Sequence, residues 1–394
     1  MKNKILYSGN FLNKSELGKF RGPAVSANRM QLGLLQELDK VLGDFDLISV
    51  LPIAAYPTEK MIVEKKIAKL VDSGDKEYYQ LPFLNLPYIK QLSIRRNLYK
   101  ELKKSKADLI INFNPYYELQ KATLGYCHKY NKKSICIVAD IPVTIPKQYS
   151  FLKKCFRRYE IKEYYKAISK YDGVIVLNKL VLEEFGLNCP YYLMDGGVSR
   201  EEIESSVVCD KSERVANRIL YTGALEAYNG VMELIEGFLL AKTHGLELVI
   251  CGGGTLWDSI KERIADHDNI ILKGNVPNEE AKKLQRESGL LISTRPTNEY
   301  ALRLTFPSKI IEYLLSGTPV LTTKLNGLAD SYDDYVYYCG ENIQEIADGI
   351  DDIFSIPYEE REKKAILAKE FVSREKNYEK HIVGFKKVIE EVLG

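Results

Sequence analysis

The residue types best suited to chemistry gather between Arg295 and Glu312, in the order Arg295-Pro296, Arg303, Thr305-Phe306-Pro307-Ser308-Lys309 and Glu312. Pro307 has its φ preset for a first helical turn and lacks an N–H that would be orphaned there, while Thr305 or Ser308 can cap. Gly317 ends such a helix and Pro319 prevents its return. The free amides of the first turn form an anion site, because dipole and unpaired N–H groups point the same way. Ser308 adds a hydroxyl and Lys309 a full charge. Glu312 follows them by four and three residues, so all three side chains share one side of the helix, the carboxylate one turn deeper. A ligand with a pyrophosphate at one end and a vicinal diol about one helical turn away suits this spacing, and a nucleotide sugar has that shape. An amphipathic helix with an exposed Lys309–Glu312 ion pair would carry the same residues.

The elements around the stretch bear on that choice. Lys4 to Gly9 reads as a strand entering a glycine-containing loop, followed by a helical pattern around Leu32, Leu34, Leu35 and Leu38. Further strands are predicted at 47–51, 109–113, 135–138 and 174–177, with helical patterns between most of them, which is the alternation of a doubly wound α/β sheet. Asp140 follows one of these strands, so it falls at a carboxyl end, where ligands bind in such sheets and where turns also use aspartate. A second strand and helix series starts at Arg218 and runs through Gly223, the strand 246–251, Gly252-Gly253-Gly254, the strand 270–274, Val276 and the strand 289–293 into the opening stretch. Two domains are therefore expected, at 1–199 and 218–372, with a polar linker at 200–217 and a terminal helix at 373–394.

The 394 residues exceed one ordinary core. No apolar run approaches a membrane span, and the N-terminus does not read as a secretory signal. The 7 cysteines are scattered without a C-x-x-C, which favours reduced thiols and a cytoplasmic location over a disulfide framework or zinc site. Asp44-Phe45-Asp46 reads as turn or cap residues, and the 4 histidines have no ligand spacing, so no metal is expected. The net charge of +2 hides a division: residues 1–199 hold 32 Lys and Arg against 20 Asp and Glu. That half should face something anionic. Its segment 151–166 mixes Phe151, Leu152, Phe156 and Tyr159 with Lys153, Arg157, Arg158 and Lys162. A helix lying on an anionic membrane would look like this, as would a solvated helix whose aromatics face the core. Nucleic acid is disfavoured because no recognition module accompanies the charge.

Phe306-Pro307-Ser308-Lys309, Glu312-Tyr313-Leu314 and Ser316-Gly317-Thr318-Pro319-Val320, preceded in order by Tyr221-Thr222-Gly223, Ile250-Cys251-Gly252-Gly253-Gly254 and Leu272-Lys273-Gly274, resemble the bacterial family 4 glycosyltransferases. The resemblance implies two facing Rossmann-like domains (the GT-B architecture) with an interdomain cleft, and a C-terminal helix returning to the N-terminal domain. It implies retaining, metal-independent transfer from a nucleotide-diphosphate sugar, with UDP favoured, to a saccharide acceptor, often polyprenyl-linked, in surface polysaccharide synthesis. Carried over, Glu312 would hold the ribose, and Ser308, Lys309 and nearby amides the pyrophosphate. The segment at Gly274 and Val276 would meet the base, and the Gly9 loop would close over the phosphates. Gly223, Gly252, Gly254 and Arg303 complete the expected donor set; Lys309, Arg295 and Asp140 are the catalytic candidates. No cofactor is implied.

The chain departs from the family where a sugar-binding glutamate and two cations are common: Leu304, Ala224 and Asn229 stand there. A leaving diphosphate still needs a preorganised positive charge, which Lys309 and Arg295 could supply; Glu299 is a candidate for the missing carboxylate. These departures also fit a catalytically silent partner of another transferase. Gly252-Gly253-Gly254 with Trp257 gives only a broken G-x-G-x-x-G, a weak sign of a nicotinamide enzyme.

Overall fold

A computed structural model describes residues 3–142, 150–206, 213–297 and 303–394. The chain forms two compact units, Met1–Gly197 with Tyr378–Gly394, and Val198–Asn377.

In the first unit the order is β1 (Ile5–Gly9), α1 (Val25–Leu42), β2 (Asp46–Ser49), β3 (Ile62–Val63), β4 (Lys66–Leu70), β5 (Lys76–Gln80), β6 (Phe83–Leu84), α2 (Lys90–Ser105), β7 (Leu109–Phe113), α3 (Tyr117–Tyr130), β8 (Lys133–Val138), α4 (Phe151–Ile168), β9 (Gly173–Val176), α5 (Leu180–Glu184) and β10 (Tyr191–Leu193). The main sheet runs β10-β9-β8-β7-β1-β2-β5-β4. Only its edge pair β4/β5 is antiparallel. Central strands such as β7 are buried along their whole length, as a parallel sheet covered on both faces requires. Alternate residues serve opposite faces: Ile5, Tyr7 and Ile111 join one core cluster with α1, while Leu6 and Ile110 join another with α2 and α3. Strands β3 to β6 were not expected. Strands β3 and β6 are only two residues long and β4 is exposed over most of its length, Ile67 by 71%, so burial imposes little apolar pattern on them.

The second unit runs α6 (Arg200–Ser205), β11 (Val215–Thr222), α7 (Val231–Leu240), β12 (Glu247–Cys251), α8 (Trp257–Arg263), β13 (Ile270–Gly274), α9 (Asn278–Glu287), β14 (Ser288–Ser293), α10 (Ser308–Leu315), β15 (Val320–Thr323), β16 (Tyr337–Cys339), α11 (Ile343–Ser355) and α12 (Tyr358–Glu375). Its sheet is parallel throughout, in the order β13-β12-β11-β14-β15-β16. The expected linker at 200–217 is partly structured at both ends. Ser199 and Glu202 form a capping box that starts α6, and Val215 already pairs with Ser288 in β11.

The chain then returns to the first unit as α13 (Tyr378–Leu393), which places Tyr378, Ile382, Phe385, Val388, Ile389 and Val392 in the core beside Leu34, Leu35 and Leu38 of α1. The Tyr378 ring fits only because two neighbours lack side chains: a Cβ on Gly33 or Gly197 would lie 2.3 or 2.4 Å from it. No helix among the described residues is long and apolar enough to cross a membrane. The cysteines among the described residues are free thiols.

Phe385 is fully buried in this returning helix, whereas Val383 is 58% exposed. Phe385→Ala should cost about 3–5 kcal/mol in denaturant unfolding, and Val383→Ala within about 0.5 kcal/mol. Equal effects would mean that the helix does not complete the first unit's core.

Candidate functional site

In the second unit the site is built at the carboxyl edge of the sheet. Pro307 is the N-cap of α10 (φ −80°, ψ 76°) and not its first residue, and no side chain caps the helix. The Ser308 amide donates to the Phe306 carbonyl at 3.0 Å and the Ile310 amide to the Pro307 carbonyl at 2.9 Å. The first turn is thus tightened, and these two amides are already paired, which corrects the expectation of a fully open anion nest. Thr305 does not cap either, since its hydroxyl accepts from Arg295 Nη2 at 2.9 Å.

The buried face of α10 is locked to the end of β11. Tyr313 Oη accepts from the Thr222 amide at 2.9 Å and donates to the Thr222 carbonyl at 3.2 Å. One position before Tyr313, Glu312 accepts from Gln285 Nε2 at 2.7 Å. Gln285 is fully buried and also reaches Thr222 Oγ1 at 3.3 Å, so it orients the carboxylate. Sequence reading missed Gln285; a neutral amide within the highly charged run 278–287 was the available signal. Glu312 and Lys309 do not form an ordinary exposed pair. The Lys309 ammonium lies 4.4 Å from the Tyr221 ring centroid, and a Cβ on Gly223 would stand only 1.9 Å from Nζ. Burial pushes its pKa down to about 8; the Arg295 charge adds to the fall and Glu312 opposes it. The lysine therefore delivers positive charge beside Gly223, next to the neutral Ala224, whose carbonyl accepts from Asn229 Nδ2 at 2.8 Å.

Gly223, Gly252 and Gly254 lie in loops that, with Gly274 at the end of β13, hydrogen-bond into one layer: Gly223 N to Cys251 O at 2.9 Å, Gly252 N to Gly274 O at 2.8 Å and Leu225 N to Gly253 O at 3.0 Å. Gly252 has φ +144°, and a Cβ there would sit 1.8 Å from the Gly223 carbonyl. These glycines answer first to protein packing, which also accounts for the broken dinucleotide motif, whose Trp257 rests near Gly274. Val276 follows the layer half-buried, and Arg303 is exposed. Leu304 is 5% exposed. Glu299 lies outside the described residues. Among the described residues no group of three or more His, Cys, Asp or Glu could hold a metal; the Asp44-Phe45-Asp46 turn buries Phe45 and pairs Asp46 with Lys4 at 3.1 Å.

Two expected residues belong to the first unit. Gly9 ends β1 inside the fold, where a Cβ would meet Gln31 Oε1 at 2.2 Å. The loop after it is tied to α1 by Gln31 and Asn28, which bond the main chain of Asn10 and Leu12. Asp140 shapes a turn with its main chain, donating to Asn114 Oδ1 at 3.0 Å and accepting from Tyr164 Oη at 3.0 Å. Its carboxyl pKa is raised by desolvation, against a hydrogen bond from Asn114.

The first unit also contains a cavity of about 770 Å³ that no motif announced, lined by Tyr88, Lys90, Tyr116, Glu118, Phe156, Arg157 and Glu160 among others. Burial pushes the Glu118 carboxyl up to about 7, the Glu160 charge adds to the rise, and Lys90 and Arg157 oppose it. In the sequence Glu118 looks like an ordinary first-turn acid of α3.

Residues 210–371, most of the second unit, match the family model described as Glycosyl transferases group 1. No curated protein sequence matches the chain. Among solved structures, sucrose-phosphate synthase from Thermosynechococcus elongatus aligns with TM-score 0.70 at 13% identity, covering 99% of each chain. A glycosyltransferase from Rickettsia africae aligns with TM-score 0.69 at 16% identity, covering 100% of this chain and 99% of that one. Anabaena HepE, solved with UDP and glucose, aligns with TM-score 0.61 at 15% identity over 98% of each chain. The fold is the GT-B fold of these proteins.

Glu118 offers a test of the cavity's electrostatics. Its folded pKa of about 7 exceeds the ordinary 4.5, so the folded protein holds an extra proton between those values and loses stability as pH rises through 7. Glu118→Gln should raise the melting temperature at pH 8, by a gain on the order of 1–3 kcal/mol, and the gain should shrink towards pH 5. A pH-independent difference in thermal melts would show that the carboxyl is not shifted.

Proposed function

We propose that the chain is a retaining, metal-independent glycosyltransferase. It moves a sugar from a nucleotide-diphosphate sugar, a UDP-sugar by preference, to a hydroxyl of a lipid-linked saccharide in bacterial surface polysaccharide synthesis, at the cytoplasmic face of the membrane. The observation that carries the donor half is the pairing on α10 of a half-buried lysine with a carboxylate oriented by Gln285, inside the stretch that matches the group 1 family model. The UDP preference rests on the UDP and glucose bound by the Anabaena relative in fold.

Glu312 accepts the ribose hydroxyls, and Ser308, Lys309 and Arg303 take the diphosphate, with Val276 and Gly274 at the base. The bond from the anomeric carbon to the diphosphate oxygen breaks as the acceptor oxygen bonds to that carbon on the same face, and the acceptor proton passes to the leaving phosphate. Lys309 and Arg295 stabilise the charge that collects there, an electrostatic contribution worth several kcal/mol in a dry site. The placement of Lys309 beside Ala224 supports this reading over a catalytically silent partner, because it restores a cation near the neutral position.

The membrane half of the proposal rests on α4 and α2. Of the residues of α4 only Tyr164, Ala167 and Ile168 are buried. Phe151 and Leu152 are 77% and 70% exposed beside Lys153, Arg158 and Lys162, and Ile89 and Leu92 are exposed near Arg95 and Arg96. Apolar tips among cations suit an anionic bilayer surface.

In thermal melts with UDP, GDP, dTDP, CMP, NAD and NADH, UDP at about 100 times its Kd should add roughly 2.7 kcal/mol, and Glu312→Ala or Lys309→Met should remove the effect. A shift by NAD or NADH alone would reject a transferase; UDP binding without sugar transfer or donor hydrolysis would favour the silent partner. Because Lys309 must carry its proton to meet the diphosphate, UDP affinity should fall as pH rises through about 8, and the fall should vanish in Lys309→Met. In vesicle sedimentation, Phe151→Ser with Leu152→Ser should release the protein from phosphatidylglycerol vesicles; retention would remove α4 from the membrane contact.

A further inference from the structure

We infer that Glu341 is a positioning residue for Arg295, fixing the loop that carries this guanidinium to the diphosphate end of the site. Glu341 follows β16, which lies two strands from β14 in the sheet. The loop that leaves β14 is held at successive residues. Thr294 Oγ1 donates to the Gly230 carbonyl at 2.7 Å, and the Arg295 carbonyl accepts from Thr323 Oγ1, at the end of β15, at 2.5 Å. Beyond Pro296, the Thr297 amide donates to Glu341 Oε2 at 3.2 Å and its hydroxyl to Glu341 Oε1, while its carbonyl accepts from Asn326 Nδ2 at 3.3 Å. Pro296 has a fixed φ, so clamps on both sides of it leave the Arg295 backbone little freedom.

The chemistry of the clamp calls for a carboxylate. Thr297 offers two donors, each to its own oxygen, and a glutamine would turn an NH2 towards one of them. The negative charge also strengthens both bonds. Glu341 is set in turn by a rigid element: its amide donates to Glu345 Oε2 at 2.9 Å, and Asn342 and Glu345 form the capping box of α11. On the other side of the loop, Arg295 Nη2 donates to Thr305 Oγ1 at 2.9 Å, which ties it to the residues leading into α10. Burial lowers the Lys309 pKa to about 8, Glu312 opposes the fall, and the Arg295 guanidinium adds to it. The titration of Lys309 therefore reports where the guanidinium lies. That this guanidinium meets a diphosphate rests on the donor reading above; its positioning by Glu341 does not.

NMR titration of Lys309 in the ligand-free full chain, isotope-labelled at the lysine Cε and assigned with Lys309→Met, tests this. Arg295→Met should raise the Lys309 pKa, and Glu341→Gln and the uncharged change Thr297→Val should raise it too, while Thr297→Ser keeps the wild-type value. Removing the Glu341 charge without moving the loop would instead lower the pKa, so the sign separates displacement of Arg295 from loss of a charge. Adding Glu341→Gln to Arg295→Met should give no further rise. If Glu341→Gln fails to fold, Thr297→Val carries the same reading. No rise in either variant, or an equal rise with and without Arg295, would overturn the assignment. Calorimetry with UDP on the same proteins should show binding about tenfold weaker in Glu341→Gln but unaffected by that change in the Arg295→Met background; equal weakening in both backgrounds would also overturn it. Lys309 shifts as expected in a chain that binds no UDP would sink the donor reading and leave the positioning of Arg295 standing.

Discussion

The Lys309 ammonium occupies space that Gly223 leaves open, and that space cannot be shared, since a Cβ at 223 would lie 1.9 Å from Nζ. Holding a lysine there, against the Tyr221 ring and with its charge partly stripped of water, requires every neighbouring loop to be fixed. Gly252 supplies one constraint by resting on the Gly223 carbonyl. Tyr313 supplies another by bonding both main-chain groups of Thr222, which sets the height of α10 relative to β11. Gln285 ties Glu312 to the same threonine. The site is therefore preorganised from its backbone outward, and its charged groups are the last parts to be placed.

The two units use the same edge of a parallel sheet in different ways. In the second, the Lys309 ammonium stands between the charges of Glu312 and Arg295, the first raising its pKa and the second lowering it. In the first, the cavity wall pairs Arg157 with Glu160, and much of the positive charge lies on exposed faces of α2 and α4. Net charge counted along the chain thus describes the outer surface of the first unit better than its interior.

Much of this was legible from residue order. Strands such as 109–113 and 246–251 announce themselves because a sheet covered on both sides demands unbroken apolar runs, and Phe306 to Pro319 reads as helix start and stop from Pro and Gly alone. What stayed hidden depends on distance across the fold. Gln285 lies 27 residues from Glu312, and nothing local shows that a glutamine will bury its amide. Glu118 becomes unusual only when the fold buries it, the Glu160 charge from α4 adding to the rise. The glycines at 223, 252 and 254 suggested ligand contact by type, yet their first reason is the approach of one loop to another. The capping box at Ser199 was readable but masked by its polar surroundings.

The returning helix has a consequence for synthesis. Most of unit one is synthesised before unit two, but six of its core side chains, from Tyr378 to Val392, lie in a segment made after unit two. Unit two, continuous from Val198 to Asn377, has all of its sequence available before then. Domains fold as units once their residues are present, so the later unit can finish while the earlier one waits with an open seam along α1. Folding order can thus run against chain order, with the α1 seam closed only once α13 has been made.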